Sequence, residues 1–115
     1  MSRSDDERVQ DILGASRKLA EIVAMGRKAF DDSWLVFSAA ERQLEIIGTA
    51  AGALSTQFAQ STPELPIQDA KDMRNLISHQ YHRSDPDIVW QTISKDVPDF
   101  AKMLQTTVYG ARTPI

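Results

Sequence analysis

Apolar residues near the start of the chain recur at intervals of three and four, a spacing that an amphipathic helix satisfies and a strand does not. Val9, Ile12, Leu13, Leu19, Ile22 and Val23 form this stripe over residues 5–25, with Arg8, Arg17, Lys18 and Glu21 largely off it. Asp5, Asp6 and Glu7 stand at the positive end of the helix dipole, which favours carboxylates. Gly14 weakens the helix slightly, because an interior glycine costs ~1 kcal/mol against alanine. A second stripe runs through Leu35, Val36, Ala39, Ala40, Leu44, Ile47, Ala51, Leu54 and Phe58. It predicts one helix from about Trp34 to Gln60, after a break at 26–28, with Asp31, Asp32 or Ser33 as cap. At ~25 residues such a helix is ~38 Å long. No stretch alternates with the strand period, so the expected fold is all-α: an antiparallel bundle of four to five helices.

Glycine and proline set the remaining boundaries. Gly48 and Gly52, in "GTAAGAL", permit a close helix–helix approach or a local kink. Pro63 and Pro66 make "STPELPIQD" a loop. A third helix follows from about Ile67 to Tyr81. "RSDPD" stops it and starts the next, with Asp85 as cap and Pro86 at the first helical position. That fourth helix is expected to run to about Lys95 and to be broken or bent by Pro98 before a last segment, Asp99 to Val108, which Gly110 ends. One domain spans residues 1–115, with about 110–115 as a frayed tail.

Composition excludes several function classes. There is no cysteine, so disulfides, thiolate metal sites and cysteine nucleophiles are out. A net charge of −3 argues against a broadly basic nucleic-acid coat, although a phosphate site needs only a few cations. No apolar run approaches the ~20 residues that span a bilayer, and "MSRSDDERVQ" has no signal-peptide core. A cytoplasmic protein without membrane contact is expected.

The chemistry-bearing stretch is "MRNLISHQYHR", residues 73–83, which holds both histidines of the chain. On an ideal α-helix Arg74 and Tyr81 lie ~20° apart, Asn75 and His79 ~40°, His79 and His82 ~60°, but Arg74 and His79 ~140°. Arginine and histidine therefore do not share a face, and the site calls for a bent arginine or for two copies of the helix in a dimer. The residue types suit phosphodiester cleavage. His79 exchanges protons near neutral pH and can take the proton of an RNA 2′-hydroxyl. Arg74 can grip phosphate oxygens and stabilise charge growing there. Asn75 can orient the histidine or the phosphate, and His82 and Arg83 add positive charge as possible RNA contacts. The same residues also make a well-solvated helix C-terminus, where cations favour the dipole. Trp34 and Trp90 read as core or interface residues, and Glu41 and Glu45 as a solvated face. No metal-ligand set and no cofactor motif is visible.

At these residues the chain resembles a known family. "MRNLISHQY" fits the R-N-x-x-x-H-x-Y signature of HepT-like toxins of the HEPN superfamily, "ERQLEIIGTAA" resembles the family's second-helix segment, and "DIVWQTISKDVPDF" its post-motif helix. The likeness runs from about Asp11 to Leu104. It implies a homodimeric helical bundle acting as a metal-independent endoribonuclease, with Arg74, Asn75 and His79 catalytic. It also implies a partner, a nucleotidyltransferase antitoxin of the MNT type, which silences the toxin by transferring AMP to Tyr81. One departure stands out. The family commonly reads I-G-E-A where this chain has Ile47-Gly48-Thr49-Ala50. Thr49 cannot serve as a carboxylate, and Glu45, one turn earlier, is a candidate substitute. Thr49 and the acidic balance motivate an alternative reading, a non-catalytic HEPN dimer that binds a nucleotidyltransferase or a nucleotide.

Overall fold

The computed structural model describes residues 3–76 and 85–110. The described residues are all-α, without a strand. Helix α1 (Arg3–Ala24) buries Val9, Ile12, Leu13, Leu19 and Ile22, the stripe that the spacing predicts. Gly26, at φ 93°, turns the chain into a short α2 (Arg27–Asp32). Ser33 caps α3 (Trp34–Gly52), its Oγ accepting the Val36 N–H at 3.3 Å. Ala40, Leu44, Ile47 and Ala51 of α3 are buried, whereas Leu35 and Ala39, expected on the same stripe, are exposed.

The single helix expected from Trp34 to Gln60 is broken. After Gly52 the chain turns through Ala53 and Leu54, and α4 (Thr56–Ser61) restarts with Ser55 as its cap. The cause lies fifty residues away. The buried carboxylate of Asp5 accepts the Ser55 N–H at 2.8 Å and the Ser55 hydroxyl at 2.6 Å, so the restart is pinned to the first turn of α1. That contact also sets α1 and α3 antiparallel, since the start of one meets the end of the other.

Helix α5 (Ile67–Asp72) forms the first part of the expected Ile67–Tyr81 element, of which residues 77–81 lie outside the described residues. It tightens into a 3-10 turn, Met73–Leu76, before the described residues end. In a 3-10 turn residues three apart eclipse one another. Met73 and Leu76 accordingly face inward, and Arg74 and Asn75 are left exposed.

Asp85 caps α6 (Pro86–Gln91), accepting the N–H groups of Asp87 and Ile88, with Pro86 at the helix start as expected. Pro98 does not end this helix. The chain widens into a π turn (Thr92–Asp96), in which the Val97 N–H reaches the Thr92 carbonyl, and continues as α7 (Val97–Tyr109). Proline has no N–H to give and its ring crowds the carbonyl four residues earlier, so one wider turn relieves both demands. The α7 end packs back on α1, where the Tyr109 hydroxyl meets Gln10 and Asp6, and Gly110 stops it at φ 73°.

The core joins all these layers: Ile12 and Leu19 of α1, Phe30 of α2, Leu44 and Ile47 of α3, Ile93 and Leu104 of the last helix are fully buried. Phe30 stacks obliquely on Phe37 and Trp90, with ring centroids 5.1 and 5.2 Å away. Trp34, by contrast, is 75% exposed beside Leu35 at 62%. No described helix is long and apolar enough to cross a membrane.

Candidate functional site

The chemistry-bearing stretch straddles the boundary of the described residues. Arg74 and Asn75 are described; His79, Tyr81, His82 and Arg83 lie outside. The ~140° separation of Arg74 and His79 assumed an α-helix. The described part of that span, Met73–Leu76, is a 3-10 turn, which advances ~120° per residue, and the rest of it lies outside the described residues.

Arg74 is seated on α3 at its glycines. A Cβ built on Gly48 would stand 2.7 Å from Arg74 Cβ, 3.0 Å from its backbone N and 3.1 Å from its Cγ. A Cβ on Gly52, one turn on, would lie 4.0 Å from Arg74 Nη1 and 3.9 Å from Lys71 Cε. Residues 71 and 74 thus descend along α3 as 52 and 48, which makes the α5 segment antiparallel to α3. The close approach that the two glycines permit is present, and its tightest point is Gly48. The Arg74 side chain runs over this shelf toward the C-terminal end of α3, where the helix dipole favours a cation.

Lys71 is the residue that sequence reasoning missed. It stands three positions before Arg74, and on a helical segment that spacing puts both cations on one face. Both reach Gly52, so two positive charges share a small patch of surface. Neither pairs with a described carboxylate. Arg8, Arg27, Lys28, Arg42 and Lys95 each have an acidic partner, whereas Arg17, Lys18 and Lys102, like Lys71 and Arg74, pair with no described carboxylate. Glu45, the candidate substitute for the missing glutamate, is held by Arg42 and not by Arg74. Thr49 is exposed beside the shelf.

The α5 segment has a second side. Met73 and Leu76 face a groove of about 530 Å³ that they line with Ile88, Phe100 and Met103. Asp69, Asp72, Asp96 and Asp99 also line it, while Arg74 and Asn75 do not. Four carboxylates repel a phosphate backbone. That groove is therefore a poor electrostatic environment for a phosphate backbone, unlike the patch formed by exposed Arg74 and half-buried Lys71.

The family model described as "Ribonuclease HepT-like" matches residues 12–107, a span that includes Gly48, Lys71, Arg74 and all of "MRNLISHQYHR". Among curated relatives, "Putative RNase MJ1380" of Methanocaldococcus jannaschii is 27% identical over 83% of this chain and 88% of its own length. "Putative RNase TTE0752" of Caldanaerobacter subterraneus subsp. tengcongensis is 33% identical over 56% of this chain and 57% of its own. "Probable ribonuclease HepT" of Thermococcus cleftensis is 35% identical over 50% of this chain and 52% of its own. The latter two matches thus take in little more than half of either chain. No solved structure matches significantly.

Proposed function

Since the chain belongs to the ribonuclease HepT-like family, we propose that it is the toxin of a toxin–antitoxin pair and cleaves RNA as a metal-independent endoribonuclease. The observation that carries this reading is the state of Arg74: exposed, without an acidic partner among the described residues, and joined by Lys71 on the same shelf. A guanidinium with open donors is what a phosphate needs, because its planar fork matches two phosphate oxygens at once.

In this mechanism Arg74 and Lys71 hold the scissile phosphate. His79 takes the proton from the adjacent 2′-hydroxyl, and the freed oxygen attacks phosphorus. Negative charge gathers on the non-bridging oxygens, where Arg74 stabilises it. The bond to the 5′-oxygen breaks, that oxygen takes a proton from solvent, and a 2′,3′-cyclic phosphate remains. Asn75 orients the histidine or the phosphate; His82 and Arg83 add positive charge along the RNA. DNA is spared for want of the 2′-hydroxyl.

The working form is a homodimer in the cytosol, in which two copies of the 73–83 stretch meet in one cleft. Exposed Trp34 and Leu35 on α3 supply apolar surface for such pairing. The antitoxin is a nucleotidyltransferase of the MNT type that transfers AMP to Tyr81. The added phosphate then repels the RNA backbone from Arg74 and His79.

The test is cleavage of total RNA in a chelator, by wild type and His79→Ala. The reading expects cyclic phosphate ends from wild type and no cleavage by the variant. Equal cleavage by both sinks the assignment of His79. The alternative, a non-catalytic partner of a nucleotidyltransferase, draws on Thr49 and on the capture of Glu45 by Arg42. A folded, unmodified dimer that cleaves no RNA and leaves host growth unaffected would favour it.

A further inference from the structure

We propose that Gly48 is a positioning residue for Arg74: the missing side chain at 48 fixes where the guanidinium stands. The inference rests on Arg74 being the phosphate-binding arginine of the proposed ribonuclease. Gly48 is buried inside α3 and has no positive φ, so its backbone conformation does not call for glycine. A glycine in that setting makes the helix less stable than alanine would. What it permits instead is contact. Two of the atoms that a Cβ would strike, Arg74 Cβ at 2.7 Å and Arg74 N at 3.0 Å, are fixed by the backbone, so no change of rotamer moves them away. Any side chain at 48 must lift the Met73–Leu76 turn off α3 or rotate Arg74 about it.

The other glycines set the contrast. A Cβ at Gly52 would make only ordinary contacts of 3.9–4.0 Å, and one at Gly14 would meet nothing closer than Arg17 Nη2 at 3.7 Å. The constraint therefore singles out one position, and that position bears on one residue. A shift of about 1 Å in a group that stabilises a transition state is enough to cost rate, while the positive charge that attracts RNA stays in place. Mispositioning of Arg74 should accordingly lower kcat and leave KM nearly as it was.

The experiment compares Gly48→Ala, Gly52→Ala and Gly14→Ala in steady-state cleavage of an RNA oligonucleotide and in thermal melting. Gly48→Ala is expected to lose tenfold or more in kcat with KM within twofold of wild type, at temperatures where it is fully folded. Gly52→Ala should lose less, and Gly14→Ala should match wild type in rate. A folded Gly48→Ala with wild-type kcat overturns the proposal. So does a loss of rate that only follows the folded fraction. Should Gly48→Ala fold poorly, a double-mutant cycle of Gly48→Ala with Arg74→Gly decides, because the second change removes Arg74 Cβ and Cγ from the collision and leaves only the backbone N at 3.0 Å. A smaller loss of melting temperature from Gly48→Ala in the Arg74→Gly background than in wild type supports the steric coupling; an equal loss refutes it. This melting cycle needs no cleavage. Wild-type protein that cuts no RNA would overturn the ribonuclease reading, and the catalytic purpose of the seat with it, while the cycle would still decide whether the seat exists.

Discussion

Two arginines of this protein are held in opposite ways. Arg27, at the start of α2, gives its Nε to Asp31 at 2.8 Å and its Nη2 to Asp87 at 2.7 Å, and its guanidinium carbon lies 5.9 Å from the ring centres of both Phe30 and Trp90. Hydrogen bonds to Asp31, then to Asp87, raise its pKa above the usual arginine value. It ties α2 to the start of α6 across sixty residues. Arg74 has no such partners among the described residues; it is exposed, and a glycine shelf supports its stem. The difference separates a cation used to hold the fold from one left available. Arg17, Lys18 and Lys102 likewise pair with no described carboxylate, so what distinguishes Arg74 is an open guanidinium combined with a fixed seat on Gly48.

Substitutions can break that contrast. Arg74→Lys keeps the charge but loses the fork, and should lower kcat for RNA roughly ten- to hundredfold with an unchanged melting curve; wild-type turnover would show that charge alone suffices. Arg27→Ala should do the reverse, lowering the melting temperature by several degrees while the cleavage rate per folded molecule stays the same. A specific loss of cleavage there would erase the distinction. Asp5→Ala removes the buried acceptor of Ser55 and should cost about 1–3 kcal/mol in chemical denaturation, for an unsatisfied backbone N–H. Lys71→Ala is the mildest. It should raise KM a few-fold and reduce the salt slope of RNA binding by about one unit, as expected for one phosphate contact. An unaltered salt slope would remove Lys71 from the site.

Local signals in the sequence placed much of the fold. The 5–25 stripe, the Ser33 and Asp85 caps, Pro86 at a helix start and Gly110 at a helix end all appear where the sequence puts them. Each depends on residues within a turn of one another. The misplaced features depend on partners far along the chain or on a change of helix type. The break after Gly52 is set by Asp5, which sequence proximity gives no reason to bring to Ser55. Pro98 reads as a break or a bend; the helix instead passes it with one wide turn, supported by the Thr92 and Ser94 hydroxyls, which donate to the carbonyls of Ile88 and Trp90. The 3-10 turn at Met73–Leu76 changes which of its own residues share a face, turning Met73 inward and leaving Arg74 and Asn75 exposed.

The site was legible in residue identity more than in geometry. "MRNLISHQYHR" flags the chemistry, and Gly48 and Gly52 flag a close approach, but only the fold connects them by seating Arg74 on Gly48. Lys71 went unnoticed because a lone lysine on a helix carries no signal until the three-residue offset to Arg74 is read together with the shelf beneath both.

The most direct measurement is the rate of cleavage of total RNA in a chelator by wild type and by Arg74→Ala, with both shown to be folded by circular dichroism and free of AMP by mass. Cleavage by wild type that leaves cyclic phosphate ends, and its loss by two orders of magnitude or more in Arg74→Ala, is the predicted result. Equal rates from the two proteins, or no cleavage by either, would contradict the claim that Arg74 is held open for an RNA phosphate.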